Sequence, residues 1–117
     1  MGQNVVLVVD DSSLVRMMVR KIFSQNFPDW TVLLAKDGEE GLAQAEGEQV
    51  DLALIDYNMP GINGVDMAIK LMESHPDLAI HLVTANVQQK MRERAEALGI
   101  GFIKKPITQD KITGVIP

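Results

Sequence analysis

The chain contains no cysteine, few aromatic residues and no excess of positive charge. Among its 117 residues are only one Trp, one Tyr and three Phe. Without cysteine the chain can form neither a disulfide scaffold nor a thiolate metal site, and it has no thiol nucleophile. Asp and Glu total 16 against 11 Lys and Arg, giving a net charge of −5 that argues against direct binding to nucleic acid. The basic residues of the first predicted helix (Arg16, Arg20 and Lys21) are interpreted as solvated surface.

Long hydrophobic runs are also missing. The longest covers residues 5–9, far short of the ~20 residues that cross a bilayer. No basic segment precedes an apolar one at the N-terminus, so no signal peptide is expected. The chain is nevertheless 46% hydrophobic, enough to bury a core. We therefore expect one acidic domain over residues 1–117, cytoplasmic and without membrane contact.

Short apolar runs alternate with segments whose apolar residues recur every three or four positions. The runs that predict buried strands cover residues 5–9, 31–35, 52–55, 79–83 and 102–105. Helical patterns begin after Ser12 or Ser13, at Asp37, near Val65 and near Val87. The final segment, residues 107–117, is expected to form a short or frayed helix because it contains Gly114 and a terminal proline. The alternation predicts an open parallel sheet with helices on both faces.

Polar side chains follow four of these strands. They are Asp10 and Asp11, Asp56, Thr84 and Lys105. Ligands of open α/β sheets bind at the carboxyl ends of the strands, and neighbouring strands lie ~4.8 Å apart. If the first and third strands are neighbours, the carboxylates converge on one small volume. Carboxylates without His or Cys favour a hard ion such as Mg²⁺ or Mn²⁺.

The charges of this predicted cluster nearly balance. Three carboxylates repel one another unless one is protonated or a cation is present. One divalent ion would leave a single negative charge, which Lys105 would neutralise. A pocket with this balance can accept a dianionic phosphoryl group.

Each of these residues also has a structural explanation when it is taken alone. Asp10 or Asp11 can cap a helix, and Asp56 can form a turn. Thr84 can cap the fourth helix, and Lys105 can be a solvated charge. The stronger signal is their joint placement at the ends of separate strands.

Four motifs together are highly specific. They are Val8-Val9-Asp10-Asp11-Ser12, residues 54–61 with Asn63-Gly64, Val83-Thr84-Ala85 and Lys105-Pro106. In these motifs the chain resembles a receiver domain of two-component response regulators over nearly its whole length. The resemblance implies a flavodoxin-like, doubly wound α/β fold: a five-stranded parallel sheet of order 2-1-3-4-5 with helices on both faces.

The resemblance also implies a role for each acidic residue. Asp56 would be the phosphoacceptor. Asp11 and Asp56 would bind Mg²⁺ directly, Asp10 would act through water, and the backbone carbonyl of Asn58 would be a further ligand. No organic cofactor is implied.

Further positions match the family's residues for activation. Thr84 would donate a hydrogen bond to a phosphoryl oxygen, and Lys105 would pair with another. Phe102 occupies the aromatic switch position, although Phe lacks the hydroxyl of the alternative Tyr. Asn58 and Asn86 stand where relatives tune the rate of dephosphorylation.

The predicted function is therefore a phosphorylation-activated switch, not an enzyme beyond promoting its own phosphorylation and dephosphorylation. Its donor would be a sensor histidine kinase or a histidine phosphotransfer protein. Its output would be a changed surface on helix 4 and strand 5 that regulates a downstream protein target. A monomer or weak dimer is expected. A chemotaxis-type output and a shuttle in a multistep relay both stay open.

Other functions are weaker matches to the sequence. A degenerate receiver that binds partners without phosphorylation would differ by not reacting with acetyl phosphate and Mg²⁺. An aspartate-nucleophile phosphatase would carry a D-x-D signature, whose second Asp acts as the general acid. In this chain Asp56-Tyr57-Asn58 has an amide at that second position. A flavin carrier would need a phosphate-binding loop, which the sequence lacks.

Overall fold

Strands and helices alternate along residues 4–117, the part of the chain that this computed structural model describes. The strands are β1 (Asn4–Val9), β2 (Trp30–Ala35), β3 (Leu52–Asp56), β4 (Ala79–Thr84) and β5 (Gly101–Lys104). The helices are α1 (Ser13–Asn26), α2 (Gly38–Ala45), α3 (Gly64–Ser74), α4 (Gln89–Ala97) and α5 (Gln109–Thr113). All strand pairs are parallel, and the sheet order is β2-β1-β3-β4-β5, which confirms the predicted fold class.

The two central strands are buried on both faces of the sheet. Leu7 and Val9 of β1 join a core with residues of α2 and α3, such as Met67. The alternate residues, Val6 and Val8, join a second core with α1 and α5. This alternation follows from the two-residue period of a strand. It explains why β1 is apolar at every position from Val5 onward.

Side-chain caps fix where four of the helices begin. In each case an oxygen accepts the N–H three residues ahead, and the capping residues are Ser12, Asp37, Asn63 and Thr108. Of the two candidates for α1, Ser12 is the cap, and Ser13 is the first helical residue. The short α5 was expected, and the fully buried Ile112 anchors it.

Helix α4 differs from its predicted form. Its predicted apolar stripe includes Val87, but the helix begins at Gln89. Gln88 stands at the cap without a side-chain hydrogen bond, and Thr84 does not cap the helix. Among residues 4–117, no helix combines the length and the hydropathy needed to cross a membrane.

Candidate functional site

Three carboxylates meet at the carboxyl edge of the sheet, as predicted. Asp10, Asp11 and Asp56 each place one oxygen so that these atoms lie within 4.8 Å of one another. The β1–β3 register pairs Val9 with Ile55, so the next residues along both strands are Asp10 and Asp56. Both are almost fully buried, whereas Asp11 is exposed. The group has the composition and spacing of a site that can hold a divalent cation.

Asp10 is held by three hydrogen bonds. Its N–H donates to the carbonyl of Ala35 at 3.0 Å, and its Oδ1 accepts the N–H of Ser12 at 2.9 Å. Its carbonyl accepts from Nη1 of Arg16 at 2.7 Å. Arg16 is half-buried, so its interpretation as a solvated surface charge is wrong. No local sequence pattern marks this contact, because it joins a side chain to a backbone carbonyl more than one helical turn away.

The second carboxylate oxygen of Asp10 has no hydrogen-bond donor. Asp10 Oδ2 is buried and accepts no hydrogen bond. A buried carboxylate oxygen without a donor is costly unless a cation lies near it. The ligand atoms that Asp10, Asp11 and Asp56 offer are all carboxylate oxygens. These observations show that the residues present fit a hard divalent cation such as Mg²⁺.

Lys105 provides one cation for this cluster. Its Nζ lies 3.3 Å from Oδ1 of Asp56 and 3.6 Å from Oδ2 of Asp10. The second distance is too long for a hydrogen bond. Lys105 is half-buried and faces the cluster, whereas its neighbour Lys104 is exposed. One ammonium facing three carboxylates leaves an excess of negative charge.

Burial and charge repulsion both act on Asp56. Burial raises the pKa of this carboxyl, and the nearby carboxylate of Asp10 raises it further. Lys105 and the N–H of Asn58, which donates to Asp56 Oδ1 at 3.4 Å, oppose this increase in pKa. The ionised Asp56 is therefore a destabilised group in a site that lacks enough positive charge.

Thr84 lies close to the site, but its hydroxyl is engaged elsewhere. The residue ends β4 and is buried. Its hydroxyl donates to the carbonyl of Asn86 at 3.2 Å and accepts the N–H of Asn86 at 3.3 Å. Both asparagines at the predicted tuning positions, Asn58 and Asn86, line one cavity of about 200 Å³ together with Tyr57 and Met91. The structure thus places both asparagines at one cavity.

Phe102 lies on β5, the strand at the edge of the sheet. It is half-buried and packs against the core on the α2–α3 side of the sheet. It also lines a groove of about 500 Å³ together with Arg92 and Glu96 of α4 and Lys104 of β5. The groove connects this ring to the surface formed by α4 and β5.

Gly64 is a further site residue whose physical role the sequence did not reveal. A Cβ at this position would lie 2.8 Å from the carbonyl oxygen of Asp56 and 2.9 Å from Cα of Tyr57. The N–H of Gly64 donates to the carbonyl of Tyr57 at 3.1 Å. Only glycine allows α3 to begin this close to the chain that leaves Asp56. The Asn63-Gly64 motif was the signal that could have pointed to this contact.

Comparison with known proteins identifies the family. Residues 6–116 match the response regulator receiver domain. The chain is 37% identical over 110 residues to the cyclic di-GMP phosphodiesterase response regulator RpfG of Xanthomonas campestris, covering 92% of this chain and 29% of that protein. It is 40% identical over 101 residues to the response regulator GacA of Pseudomonas viridiflava, covering 86% of this chain and 47% of that protein. The chain therefore spans less than half the length of these curated relatives.

Solved structures agree with this result. The chemotaxis protein CheY4 of Vibrio cholerae superimposes with a TM-score of 0.85 at 26% identity, over 98% of this chain and all (100%) of that chain. A CheY-like receiver domain protein of Methanospirillum hungatei has a TM-score of 0.87 at 24% identity, over 97% of this chain and 90% of that chain, and shows the fold alone. The chain belongs to the family of response regulator receiver domains of two-component signalling.

Proposed function

We propose that residues 1–117 form one receiver domain that works as an Mg²⁺-dependent phosphorylation switch. Asp56 accepts the phosphoryl group from a sensor histidine kinase or a histidine phosphotransfer protein. The observation that carries this proposal is the buried Asp56, with the ammonium of Lys105 at 3.3 Å and two further carboxylates beside it. A structural aspartate needs neither this burial nor this excess of like charge.

The two oxygens of Asp56 have different surroundings. Oδ1 is contacted by Nζ of Lys105 and by the N–H of Asn58. Oδ2 takes no part in either of these contacts, which supports it as the nucleophile. In the transfer, this oxygen bonds to phosphorus, and the bond between phosphorus and the donor's imidazole nitrogen breaks. The electron pair of that bond stays on the imidazole.

The remaining charges of the site assist this transfer. We assign Mg²⁺ or Mn²⁺ binding to Asp10, Asp11, Asp56 and the carbonyl of Asn58, and the bound ion would neutralise charge on the transferred group. Lys105 lies where it can pair with a phosphoryl oxygen once Asp56 is modified. Its contact with Asp56 Oδ1 already holds the ammonium beside the acceptor.

Phosphorylation would then compete for the hydroxyl of Thr84. That hydroxyl now donates to a neutral carbonyl, that of Asn86. A phosphoryl oxygen is a charged and stronger acceptor, with hydrogen bonds of about 1.5–3 kcal/mol. Turning the hydroxyl toward Asp56 breaks the turn before α4. A differential interaction of this size can shift a two-state loop equilibrium about tenfold or more.

The output follows from the position of this turn. Phe102 and the α4–β5 groove lie next to the segment that Thr84 would release. We propose that this surface changes and regulates a downstream protein partner, and that the domain acts in the cytoplasm as a monomer or weak dimer. Its own chemistry would be limited to gaining and losing the phosphoryl group.

Incubation with acetyl phosphate tests the proposal. With Mg²⁺, the wild-type chain and the exposed control variant Asp29→Asn should each gain one phosphoryl group by intact mass. Asp56→Asn should gain none, and chelation of Mg²⁺ should prevent the reaction. If the wild type takes up no phosphoryl group with Mg²⁺, a degenerate receiver becomes the better account.

A further inference from the structure

We infer that Lys111 is a positioning residue that holds Lys105 beside Asp56, an inference that rests on the proposed function. Nζ of Lys111 donates to the carbonyl oxygen of Lys104 at 2.7 Å and to that of Pro106 at 3.0 Å. These two carbonyls stand on either side of Lys105. One ammonium thus binds the backbone before and after the residue that contacts the phosphoacceptor.

The backbone at Lys105 has little other support. Strand β5 is at the edge of the sheet and ends at Lys104. Beyond that point, the N–H of Lys105 donates to the carbonyl of Thr84 at 2.8 Å. Edge position leaves the opposite side of this segment without a neighbouring strand. The two charge-assisted hydrogen bonds from Lys111 hold the backbone of residues 104–106, which has no strand on its outer side.

Lys111 is itself anchored to the core. Its N–H donates to Oγ1 of Thr108, the cap of α5, at 3.3 Å. The next residue, Ile112, is fully buried in the core on the α1 side of the sheet. The backbone of Lys111 therefore has a fixed position, and its side chain connects that fixed point to the Lys105 segment.

Loss of this side chain should affect reaction geometry more than folding. The two bonds lie at the exposed surface, so water can replace the donor. Water does not fix the distance between the carbonyls of Lys104 and Pro106 as one ammonium does. Without Lys111, the backbone around Lys105 would therefore become more mobile. A misplacement of about 1 Å at a reacting group can cost up to about a hundredfold in rate. Because water partly substitutes here, we expect about a five- to tenfold decrease in phosphorylation rate.

A double-mutant cycle separates positioning from a general structural effect. The initial rate of phosphorylation by acetyl phosphate with Mg²⁺ is measured for the wild type, Lys111→Met, Lys105→Met and the double variant. Lys111→Met should slow the wild type about five- to tenfold and should have no further effect once Lys105 is Met. Lys111→Arg, which keeps two donors and the charge, should react within about twofold of the wild type. Lys21→Met is the matched control, since it removes an exposed lysine from another helix and should leave the rate unchanged.

Each outcome has a distinct meaning. No phosphorylation of the wild type would refute the proposed function itself. Phosphorylation of the wild type with an unchanged rate in Lys111→Met would refute only the role of Lys111. If Lys111→Met slowed phosphorylation by the same factor in the wild type and in Lys105→Met, the role of Lys111 would also be refuted, because its effect would not act through Lys105. Unfolding of Lys111→Met, seen by circular dichroism, would contradict the expectation that water replaces its bonds.

Discussion

Nζ of Lys105 lies 3.3 Å from Oδ1 of Asp56, although strand β4 lies between β3, which ends at Asp56, and β5, which ends just before Lys105. The contact forms because parallel strands bring their carboxyl ends to one edge of the sheet. The same nitrogen is 3.6 Å from Oδ2 of Asp10. One ammonium is thus shared between two buried carboxylates. This sharing leaves the site short of positive charge.

Replacement of Asp56 by Asn should raise the unfolding temperature near neutral pH without divalent ions. Burial and Asp10 raise the pKa of Asp56, so the folded state binds its proton more tightly than the unfolded state does. Its contribution to stability is therefore lost as pH rises above the ordinary value of 3.8 and through the raised pKa. A neutral amide avoids this loss and should raise the unfolding temperature by a few degrees, measured by circular dichroism. The control Asp29→Asn should leave it unchanged, and a lower value for Asp56→Asn would contradict the account.

Added Mg²⁺ should raise the unfolding temperature of the wild type. An ion that binds only the folded state stabilises it by about 2.7 kcal/mol at a hundred times its dissociation constant. Asp11→Asn should lose most of this effect and still fold, because Asp11 is exposed. Thermal unfolding at increasing MgCl₂, with NaCl at matched ionic strength, measures both effects. An equal response of the wild type and Asp11→Asn would rule out Asp11 as a ligand.

Gly64→Ala should destabilise the fold and slow phosphorylation. The new Cβ would lie 2.8 Å from the carbonyl oxygen of Asp56 and 2.9 Å from a backbone carbon of Tyr57. Neither backbone atom can move without displacing the acceptor, so we expect a loss of about 1–3 kcal/mol in urea unfolding. Gly114→Ala is the matched control, because its Cβ would meet atoms at 3.5 Å and 3.6 Å, ordinary contact distances. Equal free energies of unfolding for Gly64→Ala and Gly114→Ala would show that position 64 has room for a Cβ atom.

His81 should contribute a pH-dependent part of the stability. Burial lowers its pKa from the ordinary value of 6.5, so the unfolded state binds the proton more readily than the folded state. The contribution is therefore fully present above pH 6.5 and is lost as pH falls from there through the lowered pKa. His81→Phe keeps a ring over Gly101 but cannot titrate. Its unfolding free energy should fall less than that of the wild type between about pH 7.5 and about pH 5.5. Parallel losses in the two proteins would contradict this role of His81.

Much of the fold could be predicted from the sequence because its signals are local. Runs such as residues 52–55 are apolar at every position, which indicates a strand covered on both faces. Asp10 and Asp56 follow such runs directly, so the topology alone brings them together. The convergence of the carboxylates was predictable for the same reason. The start of α4 was not, because no side-chain cap marks Gln88.

The supporting contacts of the site could not be predicted. Arg16 and Lys111 lie on helices, where a basic residue usually points into solvent. Arg16 instead reaches the backbone carbonyl of Asp10, and Lys111 reaches the carbonyls on either side of Lys105. Such contacts depend on how a helix lies against a loop, which no local pattern records. The hydroxyl of Thr84, turned to the carbonyl of Asn86, depends in the same way on the conformation of a turn.

The position of the phosphoryl group tests the central claim most directly. The chain is treated with acetyl phosphate and Mg²⁺ and then reduced with borohydride, which converts a phosphorylated aspartate to homoserine. Peptide mass spectrometry then locates the converted residue. The account predicts homoserine at position 56 in the Mg²⁺-treated sample and at no other aspartate. Conversion at a different aspartate, or none at position 56, would contradict it.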